Sequence, residues 1–320
     1  MKNFMKVCLI AGGVCILIGG GITTVAAAMG GRLSDLPSWN YRWLGRDIVG
    51  DITGDLRSEM DDLGRDLSDQ FDDSFDELDR EFDEIGRRHD GVNDGELNES
   101  EFSGIYARKL DLEVRRGRAF ITYDAPADKI VVSSGEDMSR WNVYSEEVEL
   151  KVTVGSKSWD SYDYEDTVVY IHVPADYRFE EVELKVKAQR NNRVINSDNG
   201  PAITAEALKA DKIEIDAAVG AVSVTGADAG KLEVDSDVGA VKFEGNVDGD
   251  VDAECSVGAV KLDLAGEKAD FNYEIKCRVG SITVDGEGFS GLSKERKINN
   301  GAAKKMELDC STGAIEVKFH

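Results

Sequence analysis

Lys212–Val224 reads KIEIDAAVGAVSV, and the phrase returns as KLEVDSDVGAVKF at Lys231–Phe243, DVDAECSVGAVKL at Asp250–Leu262, NYEIKCRVGSITV at Asn272–Val284 and KMELDCSTGAIEV at Lys305–Val317. Gly220, Gly239, Gly258, Gly280 and Gly313 anchor the copies. The first three stand 19 residues apart, and later gaps widen to 22 and 33 by insertion after the second strand. A recurrence near 20 residues is the mark of stacked rungs. Within each copy apolar residues alternate with polar ones, Ile213 and Ile215 before the glycine and Val222 and Val224 after it. That is the period of half-buried strands, so each rung is read as two strands. The glycine suits a corner where a side chain would obstruct the turn or φ must be positive. The expected fold is mainly β: a β-solenoid of two-strand rungs.

Three residues before each glycine stand Ala217, Ser236, Cys255, Cys277 and Cys310, a column of small residues facing inward. Rungs about 4.8 Å apart allow a Cys255–Cys277 or a Cys277–Cys310 disulfide, with buried thiols used as filler as the alternative. Six residues before the glycines, facing outward, stand Glu214, Glu233, Asp252, Glu274 and Glu307. Four before are Asp216, Asp235, Glu254, Lys276 and Asp309. Stacked like charges repel, so this face either relies on water and salt or binds something cationic. Lys212, Lys231 and Lys305, two positions earlier, offset part of the charge. Asp248, Asp250, Asp252 and Glu254 superficially resemble a calcium loop, but the glycine and terminal glutamate are not at the required places. No metal site or cofactor is assigned.

Working outward, KLDLEV near 109, DKIVVSS near 128, EEVELKVTV near 146, DTVVYIHVP near 166 and EEVELKVK near 180 are further strand-like runs, in which the repeat begins in degenerate form. GSKSWDSYDYEDT, from Gly155 to Thr167, interrupts them as an exposed loop of the kind that can carry recognition.

Val7 to Gly31 contains no charged residue. At about 1.5 Å per residue a helix of that length crosses a hydrocarbon core of about 30 Å. Lys2 and Lys6 precede it, and Trp39, Tyr41 and Trp43 follow at a distance suited to a membrane interface. Residues 1–31 are therefore read as a cytoplasmic start and transmembrane anchor, with a cleaved signal peptide ending near Ala26–Ala28 as the rival. The flanking positive charges do not decide orientation. The charged start and small residues resemble a translocation signal, which places the C-terminal domain outside a single-pass cell membrane.

Residues 32–95 form an interface segment and an acidic helical spacer. Ile48, Ile52, Leu56, Met60, Leu63, Leu67, Phe71, Phe75, Leu78, Phe82 and Ile85 fall at helical steps among Asp and Glu. Such a stripe suits docking on the C-terminal domain or self-association through residues 48–88; a self-repelling spacer is the alternative. Gly91, Asn93, Asp94 and Gly95 mark the boundary of the domain at 96–320.

The 320 residues carry 63 acidic against 38 basic side chains, a formal net charge of −25, which argues against a nucleic-acid partner. His89, His172 and His320 are widely separated and show no metal or triad spacing, and no G-x-S-x-G or H-E-x-x-H occurs.

The repeats, the phrase VVYIHVPADYRFEEVELKV, the terminal ELDCSTGAIEVKF and the preceding anchor resemble the bacterial putative-adhesin family of β-strand repeats, the toastrack domain, over about residues 105–320. The resemblance implies an envelope protein associated with cell-envelope stress systems, acting on protein or wall partners, without catalytic residues. Arg115 and Arg116 beside Gly117, and the insertion around Lys294 to Lys297, depart from the family pattern and would place a basic loop on one edge. The expected function is that of a non-catalytic binding module. A sensor of cationic peptides or metal ions is the second reading, and a polysaccharide-active enzyme, resting on fold analogy alone, the third.

Overall fold

The structure, a computed structural model, describes residues 98–102, 107–126, 129–134, 141–146, 148–155, 167–187, 201–290 and 294–320. The anchor, the acidic spacer and most of the 155–167 loop lie outside them. No helix among the described residues is long and apolar enough to cross a membrane.

The strands run in chain order as β1 (Asn98–Phe102), β2 (Lys109–Val114), β3 (Arg118–Ala125), β4 (Ile130–Ser134), β5 (Trp141–Glu146), β6 (Glu149–Val154), β7 (Val168–Pro174), β8 (Phe179–Val186), β9 (Ala202–Glu206) and β10 (Lys209–Ala217). They continue as β11 (Ala221–Ser236), β12 (Ala240–Val247), β13 (Val251–Cys255), β14 (Ala259–Leu264), β15 (Phe271–Cys277), β16 (Ser281–Val284), β17 (Glu287–Ser290), β18 (Lys294–Ile298), β19 (Lys304–Cys310) and β20 (Ala314–Phe319).

Parallel, in-register pairing builds two faces. On the first, β6, β2, β8, β10, the second half of β11, β13, β19 and β15 lie side by side. On the second, β7, β3, β9, the first half of β11, β12, β14, β20 and β16 do so. The alternation read from sequence is kept: Ile213, Leu232, Val251, Met306 and Tyr273 stack inward with at most 3% exposure, as do Val222, Val241, Val260, Ile315 and Ile282. Phe179, Phe243 and Phe271 are the bulkiest fully buried side chains.

The rungs do not stack in chain order. β19–β20, last in sequence, lies between β13–β14 and β15–β16, and β2–β3 lies between β6–β7 and β8–β9. The long gap between Gly280 and Gly313 is thus the connection that lets the chain skip a slot and return to fill it. Both terminal rungs gain neighbours on each side, and the last residue is held by the His320 amide donating to the Leu264 carbonyl at 3.1 Å. The stack ends are covered by antiparallel strands: β5 on β6, β4 on β7 with β1 beyond it, β18 on β15 and β17 on β16. Such covering blunts edges that would otherwise template pairing with other chains. The DKIVVSS run is one of these covers and not a rung. The basic insertion near Lys294 is likewise an edge strand and not a loop, with Arg296 paired to Glu287 at 3.0 Å and Lys297 to Glu274 at 3.2 Å.

Candidate functional site

The glycine corner accounts for the repeat signature. In space the glycines stack as Gly220, Gly239, Gly258, Gly313 and Gly280, each rung's post-glycine amide donating to the preceding glycine carbonyl at 2.9–3.1 Å. A Cβ on Gly258 would stand 2.0 Å from the Gly239 carbonyl oxygen and 2.5 Å from Ser236 Oγ. On Gly280 it would meet the Gly313 carbonyl at 2.3 Å and Cys310 Sγ at 2.4 Å. Of the five only Gly220 has positive φ, at 136°, so obstruction, and not backbone handedness, demands glycine at the other four. The same crowding explains the small column beneath, where Ser236 Oγ, Cys277 Sγ and Cys310 Sγ donate to the carbonyl of the glycine three residues on, at 2.9, 2.9 and 3.0 Å.

The rung order corrects the cysteine reading. Cys310 is the in-register neighbour of both Cys255 and Cys277, so a Cys255–Cys277 disulfide would have to span the intervening rung. All three are buried thiols, and interaction with Cys255 together with burial holds Cys310 well above the usual thiol range against the opposing effect of Cys277.

The outward acidic column is continuous, in the order Glu214, Glu233, Asp252, Glu307, Glu274. Its ends are neutralised locally. Lys212 contacts Glu214 at 2.8 Å and Glu233 at 2.6 Å, and Lys231 contacts Glu233 at 2.6 Å. Hydrogen bonds from Lys212 and Lys231 hold Glu233 below the usual carboxylate range. Glu274, bonded by Lys276 and Lys297, is lowered to about 2, and Lys305 pairs with Glu307.

The middle differs. Asp252 is raised by burial and then by Glu307 and Glu233, Glu254 by burial and then by Asp252, Asp235 and Asp309, and Asp235 by burial and then by Asp237 and Asp216. Asp235 and Glu254 stand one column beyond the lysine row, and Asp252, in the column of Glu233 and Glu307, feels Lys231 and Lys305 less than the burial and the carboxylates around it. The calcium-loop resemblance dissolves into strand geometry: Asp252 and Glu254 sit on β13, while Asp250 accepts the Lys305 amide at 2.8 Å and Asp248 bonds Asn246 at 3.0 Å. Among the described residues, no group of three or more His, Cys, Asp and Glu is arranged to hold a metal ion.

One constellation escaped the sequence reading. His172 Nδ1 stands 2.8 Å from Asp124 Oδ1 and 3.0 Å from Thr122 Oγ1, and its Nε2 is 3.5 Å from Ser133 Oγ. Burial opposes but the His172 and Thr122 hydrogen bonds win, leaving Asp124 below its ordinary value. The residue types are those of a Ser-His-Asp triad, but Ser133 is 2% exposed and its contact to the imidazole lies at the limit of hydrogen bonding. The group pins β3, β4 and β7 together. Sequence could have suggested it only through the Thr122–Asp124 alternation, because neither the register that sets His172 opposite Thr122 nor the antiparallel cover of β7 by β4 is a local signal.

No family model and no curated protein matches the chain. Among solved structures it is similar to a putative cell adhesion protein from Clostridium sporogenes, at 16% identity and a TM-score of 0.37, over 70% of this chain and 99% of that one. It is also similar to a putative adhesin from Bacteroides fragilis, at 11% identity and 0.35, over 69% and 97%, and to one from Parabacteroides distasonis, at 12% and 0.31, over 70% and 98%.

Proposed function

We propose that the chain is a non-catalytic, membrane-anchored, extracytoplasmic module that acts in envelope stress or adhesion through protein or wall contacts. The observation that carries this reading is the outward surface of the parallel stack: in-register columns repeat like side chains at about 4.8 Å, a regular, rigid ruler suited to an extended partner and not to a small substrate. The uncharged Val7–Gly31 span supports the anchor. The test is protease accessibility of the domain in intact against lysed cells, with the mass of the membrane-bound chain. Cleavage in intact cells with the anchor retained supports the reading, and protection until lysis reverses the topology and overturns it.

A second reading, a sensor of cationic peptides or metal ions, is favoured by the raised carboxylates Asp235, Asp252 and Glu254. It predicts salt-sensitive binding of a polycationic peptide that weakens when Asp252 and Glu254 are neutralised. Unchanged binding in that variant would sink it.

A further inference from the structure

The inward column beneath the glycine corner changes composition at one place. In space it runs Val154, Val114, Val186, Ala217, Ser236, Cys255, Cys310, Cys277. Among the described residues, cysteine stands on the inserted last rung and on the two rungs which that rung separates, and nowhere else. In-register parallel partners about 4.8 Å apart fall inside the Cα separation a disulfide tolerates, whereas partners two rungs apart, at about 9.6 Å, do not. The sulfurs also reach along the column. Cys255 Sγ lies under Gly313, on the rung of Cys310, and Cys310 Sγ lies under Gly280, on the rung of Cys277, at 2.6 and 2.4 Å from where a Cβ would stand. A bridge draws two sulfurs to about 2.05 Å and removes two hydrogens, so it asks for no extra room in this crowded column.

We infer that Cys310 is the shared arm of a redox latch: it bonds to Cys255 or to Cys277, one at a time, and fastens the last rung into the slot it fills. The oxidant is a low-molecular-weight disulfide. A thiolate of the reacting pair attacks one sulfur of the oxidant and expels the other as a thiolate, leaving a mixed disulfide on the protein. The second thiolate of the pair then attacks the protein sulfur of that mixed disulfide and expels the remaining small thiolate. Two protons and two electrons leave the chain, and the oxidant becomes two thiols. Cys255, Cys310 and Cys277 are 2%, 0% and 1% exposed, so neither oxidant nor reductant reaches them in the closed stack. The bridge therefore forms while the last rung is out of its slot, and closure then shields it. The third cysteine stays a thiol. The latch needs only that class of oxidant and is independent of the envelope location proposed above.

The test refolds the full-length chain in detergent from urea, with oxidised and reduced glutathione or with reductant alone, and maps bridges by peptide mass without reduction. The expected result is one bridge per chain among these three, Cys255–Cys310 or Cys277–Cys310, with the remaining cysteine alkylated only after unfolding. Hydrogen exchange across Met306 to Val317 should be slowed about thirtyfold or more in the bridged chain relative to the reduced one, because the bridge restricts the open state. Cys310→Ser, a side chain the column already accepts at Ser236, should abolish both the bridge and the redox dependence of exchange. Cys255→Ser and Cys277→Ser should each leave the other bridge in place. A bridge that joins Cys255 to Cys277, three unmodified thiols after oxidative refolding, or redox-dependent exchange that persists in Cys310→Ser overturns the inference.

Discussion

Replacing Gly258 by alanine adds a single methyl at a site where φ is not positive, so the cost is purely one of space. The added carbon would lie 2.0 Å from the Gly239 carbonyl oxygen, far inside van der Waals contact, and that oxygen also accepts the Ala259 amide at 3.1 Å. Relief therefore moves backbone, and the displaced corner is continuous with the corners above and below. Overpacking costs about 1–3 kcal/mol and loss of a backbone hydrogen bond about 1 kcal/mol, so a destabilisation of about 3 kcal/mol is expected. Urea unfolding followed by the β-sheet signal reads it. Gly288→Ala is the control, since its Cβ meets nothing within 4 Å, and it should stay within about 0.5 kcal/mol of the parent. Adding Ser236→Ala to the Gly258 variant removes the 2.5 Å hydroxyl contact but not the carbonyl, and should not restore stability. A Gly258→Ala chain as stable as the control, or rescue by Ser236→Ala, would refute obstruction by the backbone ladder.

Further outcomes follow from the charges and the core. Asp235, Asp252 and Glu254 have folded pKa values above their unfolded ones, so the folded state binds more protons and stability should rise as pH falls from about 7 toward about 5. Glu233 and Glu274 are shifted the other way, so below about pH 4 stability should fall again; a monotonic loss from pH 7 downward in thermal melts would contradict the assignment. Glu254→Gln should stabilise by a few tenths of a kcal/mol, whereas Glu233→Gln, which loses both Lys212 and Lys231, should destabilise by about 0.5–1 kcal/mol, both read by denaturant midpoint at low salt. Phe243→Ala empties a fully buried site in the middle of the stack and should cost about 3–5 kcal/mol by the same assay.

The strands of the repeat were legible because alternation and a glycine at constant offset are local signals, and Ile213, Ile215, Val222 and Val224 point inward as that pattern requires. The acidic and small columns followed from the same offsets. Rung order was not legible, since every copy presents the same edges and nothing in residues 305–317 says which neighbours they meet. That one unreadable fact moved Cys310 between Cys255 and Cys277 and placed Glu307 beside Asp252. The lysine row offsets part of the acidic charge, as its sequence positions imply. It reaches Glu214, Glu233 and Glu307, but Asp235 and Glu254 stand one column farther along the strand.

The inserted order of the last rung, on which the candidate face and the cysteine column both depend, is tested most directly by disulfide trapping on the outward column. With mild oxidant, the Asp252→Cys, Glu307→Cys chain should crosslink readily and the Asp252→Cys, Glu274→Cys chain should not, because Asp252 and Glu307 are in-register neighbours and Glu274 lies a rung beyond. Efficient crosslinking of the second pair with none in the first would mean that the rungs stack in chain order, and the account would fall.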